Sequence, residues 1–236
     1  MNIIITGASQ GIGRETVKIF AEMGNHVIYA VSRNKDKLQV LAEECKKIND
    51  HSSIIAVPMD LIDLIQNRSA LSERVLLPDH IDILINNAGM LINKPFEDIT
   101  AAEATGMLNI NFIVPAILIR ELRGHLGTKG KTHIVNISSM GGFQGSSKYP
   151  GLSFYSASKA ALAVLTECLP AEFKNSDISF NCLCLGAAQT EMLDKAFPGY
   201  KAKLSAKEMA EYIVDFAING NKYYNGKIIP VALSNP

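Results

Sequence analysis

The chain has 236 residues, 47% of them apolar and 19% charged, and its 23 Lys and Arg balance 23 Asp and Glu to a formal net charge of zero. A chain of this size can bury roughly 70–75% of its unfolded surface, so one sizeable core forms without staples. The apolar content excludes a disordered chain, and without a basic excess the chain is no general binder of nucleic acid or polyanions.

Short, β-branched, nearly continuous apolar runs at 2–6, 26–31, 53–58, 81–86, 133–138, 178–184 and 226–232 read as strands covered on both faces. Helix-period segments lie between them, near 12–23, 35–49, 64–76, 101–125, 155–174 and 206–218. Strand and helix alternating throughout predict βαβ units, and right-handed crossovers turn these into a doubly wound parallel sheet of about seven strands with helices on both faces. With no linker, repeat or low-complexity segment, residues 1–236 are expected to form one α/β domain of Rossmann type. A ligand of such a sheet sits off the carboxyl ends of the strands, where the strand order reverses.

The first strand runs straight into Thr6-Gly7-Ala8-Ser9-Gln10-Gly11-Ile12-Gly13, which opens a helix. Glycines there permit a tight turn and a close approach of phosphate to backbone, and the helix N-terminus supplies free N–H groups. Gly7, Ser9, Gln10, Gly11, Ile12 and Gly13 are therefore candidate dinucleotide contacts, although the Gly-x-x-x-Gly-x-Gly spacing differs from the commonest fingerprint. At the end of the second strand, Val31-Ser32-Arg33-Asn34 offers no acid for ribose hydroxyls. It offers Arg33 instead, whose guanidinium suits a 2′-phosphate, so NADP(H) is expected over NAD(H). After the third strand, Asp60 and Leu61 are placed either to meet the adenine or simply to cap the next helix.

Further along come Asn86-Asn87-Ala88-Gly89 after the fourth strand, Asn109-Ile110-Asn111-Phe112 within a helix, Ser138-Ser139 ending the fifth strand, and Tyr155-Ser156-Ala157-Ser158-Lys159 at a loop-to-helix junction. Tyr155 and Lys159, four apart, share a helix face. A free tyrosine titrates at about 10. A neighbouring ammonium lowers that value, which makes the pair a tunable general acid/base.

In order and spacing these motifs, from residue 2 to about 232, resemble the short-chain dehydrogenase/reductase family. The resemblance implies hydride transfer between a nicotinamide and a carbonyl or secondary alcohol. Tyr155 would be the proton donor or acceptor, and Lys159 would also hold the nicotinamide ribose. Ser139 would bind the substrate oxygen, and Asn111 would hold a water behind Lys159. It also places Asn87, Ala88 and Gly89 beside the adenosine, and Gly186 and Thr190 beside the nicotinamide amide. Ser138 competes with Ser139, Asn109 competes with Asn111, and Tyr149 is a weaker tyrosine because Ser153 lies four residues on. Leu185 replaces a family proline, which puts the local loop shape in question, and Gln10 stands where many NADP-using members carry a basic residue. The ending Ser234-Asn235-Pro236 is without the family's glycine-rich tail. On the same fold, a cofactor-sensing binding protein or an epimerase or lyase are the competing readings.

The apolar residues of helices 101–125 and 155–174 exceed one core-facing stripe, and the family resemblance suggests a homodimer or homotetramer paired through them. Cys45, Cys168, Cys182 and Cys184 read as buried small hydrophobes. The histidines show no metal-ligand spacing, so no metal is expected. With no secretory signal and no apolar run approaching membrane length, a cytoplasmic protein without membrane partners is expected.

Overall fold

The computed structural model describes residues 1–233; Ser234, Asn235 and Pro236, where the missing glycine-rich tail was noted, lie outside the described residues. In chain order the elements are β1 (Asn2–Thr6), α1 (Gly11–Met23), β2 (Val27–Ser32), α2 (Lys35–Ile48), β3 (Ser53–Pro58), α3 (Asp63–Gln66), β4 (Ile83–Asn86), α4 (Ala101–Leu108), α5 (Val114–Glu121), β5 (Thr132–Ser139), α6 (Ser153–Glu172), β6 (Ile178–Leu185), β7 (Ala188–Gln189), α7 (Glu191–Ala196), β8 (Leu204–Ser205), α8 (Ala206–Asn219) and β9 (Lys227–Val231). Seven strands form one sheet in the order β3-β2-β1-β4-β5-β6-β9, and β7 and β8 form a separate short pair. The neighbours in the large sheet all run parallel.

Strand alternation divides the core. Ile3 and Ile5 point to the face covered by α1, α2 and α8, where they meet Val17, Phe20, Leu38, Leu41, Ile213 and Phe216. Ile4 points to the other face, with Leu84, Leu118, Ile119, Leu122 and Phe180. Because the chain returns from β3 to lay β4 against the far side of β1, the strand order reverses between β1 and β4. The loops that follow these two strands therefore form the crevice of a doubly wound sheet.

Three expectations change. The helix read at 64–76 ends at Gln66 and gives way to a 3₁₀ turn at Arg68–Ala70. Asn67 is the cause: its backbone is extended and its side chain accepts from Ser69 N at 3.1 Å, a local bond that competes with the helix. Cys168 is exposed, unlike the other three cysteines, because the buried stripe of α6 runs through Ser158, Lys159, Leu162, Ala163, Thr166 and Leu169 and turns residue 168 outward. Finally, the continuous helical stretch Ala101–His125 is long and apolar enough to cross a membrane, with a mean hydropathy of 1.5. In this fold Val114, Leu118, Ile119 and Leu122 seat it on the sheet, and Ile110 and Ile117 pack against the same cluster.

β5 also carries a buried histidine. His133 Nδ1 lies 2.8 Å from the Ala217 carbonyl, which only accepts, so the proton sits on Nδ1. Nε2 then accepts from Asn181 Nδ2 at 2.9 Å. Burial pushes the pKa of His133 down to about 4, with the Lys131 cation adding to the effect and the Ala217 bond opposing it. The unfolded chain protonates this ring near its ordinary value of 6.5, so between the two values it binds more protons than the fold does. Stability is therefore complete above pH 6.5 and falls as the pH drops toward 4, by up to roughly 3 kcal/mol from this group. Urea unfolding across this range should show that decline in the parent and a shallower one in His133→Gln.

Candidate active site at the strand ends

The glycine loop is shaped by contacts with the turn after β4. A Cβ on Gly13 would collide with Asn87 Nδ2 and stand 2.5 Å from the Gly7 carbonyl, so only glycine fits. Asn87 Nδ2 donates to Thr6 O at 3.0 Å, and Thr6 Oγ1 accepts from Asn87 N and Ala88 N, each at 3.0 Å. These bonds fasten the loop after β1 to the loop after β4. Asn86 instead turns into the sheet and donates to Asn136 Oδ1 at 2.8 Å.

Helix α1 starts at Gly11 with Gln10 as its N-cap, and Gln10 gives it no side-chain cap; no acid occupies the first turn. Its leading N–H groups are thus available to an anion. In front of them lies a cleft of about 630 Å³ lined by Ser9, Gln10, Gly11, Gln189 and Thr190, among others. Thr190 caps α7 by accepting from Leu193 N at 3.2 Å, and its Cγ2 would lie 3.4 Å from a Cβ on Gly11, so it forms the opposite wall. A dinucleotide pyrophosphate fits this cradle on steric and electrostatic grounds.

The other candidates divide clearly. Arg33 is exposed at the end of β2. Ser9 Oγ and Ser32 Oγ lie 2.8 Å apart. Asp60 Oδ1 accepts from Ile62 N at 3.1 Å, a local turn ahead of α3, whose N-cap Ile62 has no side-chain cap, and Leu61 is buried, so any ligand meets its backbone. Ile12 packs against the core. Leu185 extends β6 by one residue, in register with Ser139 and Val231. A leucine keeps the N–H that proline lacks and continues the strand. Gly186 N then donates to Val231 O at 2.8 Å.

The proposed acid/base group is assembled where β5 meets α6. Ser139 Oγ accepts from Gly141 N at 3.2 Å, and the Ser139 side chain lies beside the Tyr155 hydroxyl, where it favours the ionised form. Ser138 faces away and donates to the Lys159 carbonyl at 2.8 Å. Alternation along the strand thus leaves Ser139 as the serine beside Tyr155. Tyr149 is exposed. Lys159 is only 4% exposed, and its Nζ donates to the Ile137 carbonyl at 2.8 Å. A Cβ on Gly89 would sit 3.3 Å from Asn111 Oδ1 and 3.4 Å from Lys159 Nζ, so Gly89 keeps these groups together.

The electrostatics differ from expectation. Burial pushes the Tyr155 pKa up, and the Ser139 side chain opposes that. The ammonium of Lys159 points at the Ile137 carbonyl, and burial lowers its own pKa to about 8.

Asn111 lies in a π turn at Asn109–Ile113 that joins α4 to α5. Its Nδ2 donates to Met90 O at 2.8 Å and to Ser158 Oγ at 2.9 Å, while its Oδ1 accepts from Met90 N at 2.8 Å. The side chain is fully engaged. Pro115, four residues on, has no N–H to offer the Asn111 carbonyl.

Two tethers were not foreseen. Lys37 Nζ donates to Gln10 Oε1 at 3.1 Å, and Asn93 Nδ2 donates to the Ala196 carbonyl of α7 at 2.8 Å. Gln10 and Lys37 are 27 residues apart, and Asn93 and Ala196 are 103 apart, so neither pairing has a local sequence signal.

The comparisons with known proteins place this reversing parallel sheet among NAD(P)-linked oxidoreductases acting on CH–OH groups. The family model described as short chain dehydrogenase matches residues 1–201, and the chain belongs to the short-chain dehydrogenase/reductase family. It is 32% identical over 219 residues to a fatty acyl-CoA reductase of Mycobacterium tuberculosis, a match covering 91% of this chain and 72% of that one. It is 30% identical to dehydrogenase/reductase SDR family member 7B of Xenopus laevis, covering 84% of this chain and 61% of the longer relative. Among solved structures it superposes with a TM-score of 0.84, at 25% identity and over 97% of its length and 94% of the other's, on a Beutenbergia cavernae protein named for NAD(P)-dependent gluconate 5-dehydrogenase activity and holding NADP at low occupancy.

Proposed function

We propose that this protein is an NADP(H)-dependent oxidoreductase that interconverts a carbonyl and a secondary alcohol. The observation that carries the reading is the assembly of Ser139 at the end of β5, Tyr155 and the buried Lys159 on α6, and the uncapped start of α1 at the same strand ends. Gly7, Ser9, Gly11, Gly13 and Thr190 would hold the pyrophosphate and nicotinamide halves of the cofactor, Asn87, Ala88, Gly89 and Asp60 its adenosine half, and Arg33 its 2′-phosphate. When bound, the nicotinamide supplies or takes the hydride.

The chain's own residues handle the proton. Ser139 Oγ hydrogen-bonds the substrate oxygen and holds it against Tyr155. Tyr155, kept protonated by burial, gives its proton to that oxygen as negative charge develops there. In the oxidation direction Tyr155 must first lose its proton, which burial opposes and the Ser139 side chain favours. The water that reprotonates Lys159 is assigned to the main-chain carbonyl of Asn111, since its side chain is committed to Met90 and Ser158. A cytoplasmic dimer or tetramer paired through the apolar outer faces of α4, α5 and α6 completes the proposal.

Reduction of a panel of ketones and aldehydes with NADPH and NADH side by side tests this reading. NADPH-dependent turnover of at least one carbonyl is expected. A clear preference for NADH would remove the assignment of Arg33. Product formation without net cofactor oxidation would point to an epimerase or lyase.

A further inference from the structure

The mechanism leaves one buried pair of titratable groups unused. Cys182 and Cys184 stand two apart on β6, so alternation turns both to one face of the sheet. Both are fully buried there, packed with Met140, which follows Ser139, and with Ala163, four residues along α6 from Lys159. Cys184 is in register with Ser138 of β5, and the Ser138 hydroxyl donates to the Lys159 carbonyl at 2.8 Å. Among the described residues no Asp or Glu belongs to the buried core, and Lys159 forms no ion pair. The buried ammonium thus has two thiols, and no carboxylate, for acidic neighbours beside Tyr155. Resting on the oxidoreductase reading above, we propose that Cys184 is a positioning residue whose thiol, ionised beside Lys159, sets the pH at which Tyr155 exchanges its proton with the substrate.

The groups around Cys184 favour its anion. The neighbouring Cys182 holds the Cys184 pKa below the ordinary thiol value; burial opposes this, and the Ser138 hydroxyl and the ammoniums of Lys159, on α6, and Lys148, in the loop between β5 and α6, add to it. The same contact and burial push Cys182 the other way, so Cys184 is the thiol of the pair that ionises first. The influence is returned to the acid/base group. Burial raises Tyr155, the Ser139 side chain opposes that, and the charge on Cys184 adds to it. Burial lowers Lys159, and the charges of Cys182 and Cys184 oppose that. A thiolate at position 184 therefore keeps both the tyrosine hydroxyl and the ammonium protonated to higher pH, and its removal makes each give up its proton more readily.

Two readouts test this on the parent, Cys184→Ser, Cys184→Ala and Lys159→Met. The ultraviolet absorbance of thiolate, followed against pH, should show in the parent a step below the ordinary thiol value. Cys184→Ser should remove that step, and Lys159→Met should move it to higher pH, because the thiol keeps its proton once the cation is gone. The second readout is the NADP⁺-linked oxidation of an alcohol whose carbonyl the panel above finds to be reduced. Its rise with pH should move to lower pH in both Cys184 variants: where the parent stands at half its plateau rate, each variant should be close to its own plateau, a gain of about twofold. Agreement of serine with alanine separates the lost charge from any effect of a new hydroxyl. If both variants keep the parent's pH profile and change only the unfolding midpoint, Cys184 is a packing residue; the proposal is overturned and the oxidoreductase reading stands. A thiolate step that survives Cys184→Ser overturns it equally. A parent that oxidises no alcohol and reduces no carbonyl overturns the oxidoreductase reading, and the role of Cys184 falls with it whatever the absorbance shows.

Discussion

Tyr155→Phe is expected to lower turnover by about 10²–10⁴-fold while NADPH binding stays within about twofold of the parent. The substitution removes one hydroxyl and leaves the ring in place. Ser139 Oγ keeps its bond from Gly141 N at 3.2 Å, so the local turn survives. What is lost is the proton delivered to the substrate oxygen. Because burial holds Tyr155 above its ordinary pKa, its proton is present throughout the neutral range, and the competing candidates do not replace it: Ser138 is committed to the Lys159 carbonyl and Tyr149 is exposed. Steady-state kinetics beside a fluorescence titration of NADPH measure both quantities. Near-parental turnover in the variant would move the proton-transfer role to another group.

Lys159→Met should lose a comparable factor in turnover and gain rather than lose stability. The lysine is 4% exposed, and burial brings its pKa from 10.5 down to about 8. The sign follows from linkage: between these values the unfolded chain binds more protons than the fold, so stability rises with pH through the window and is at its lowest below it. At neutral pH the fold therefore carries the cost of a buried charge, which methionine removes. Against that stand the bond to the Ile137 carbonyl and the lesser influence of the neighbouring thiols. Denaturant unfolding near pH 7 should place the midpoint of Lys159→Met at or above that of the parent, and a markedly lower midpoint would refute this electrostatic account.

The parts of the site legible in the sequence are those whose geometry is local. The glycine loop declares itself because its spacing lies directly between a strand and a helix. Tyr155 and Lys159 declare themselves because four residues on a helix bring two side chains to one face. Ser139 could be preferred over Ser138 by strand alternation, and the β5 backbone has that alternation. What could not be read depends on residues far apart in the chain. The raised pKa of Tyr155 reflects burial, and Lys159 is aimed at a main-chain carbonyl; neither follows from the four-residue spacing. The engaged side chain of Asn111 depends on Met90 and Ser158, and the tether from Lys37 to Gln10 spans two helices. The truncated α3 shows the opposite failure. Its helical pattern is genuine, but a single asparagine offered the backbone a competing local bond.

The central claim is that this site transfers hydride, and isotope transfer tests it most directly. NADPH deuterated at the nicotinamide C4 should deliver deuterium to the carbinol carbon of a reduced ketone or aldehyde, detected by mass spectrometry, with the parent protein active and Tyr155→Phe nearly silent. Tight NADPH binding with no deuterium transferred to any carbonyl of a broad panel would contradict it and leave a protein that senses the cofactor without using it.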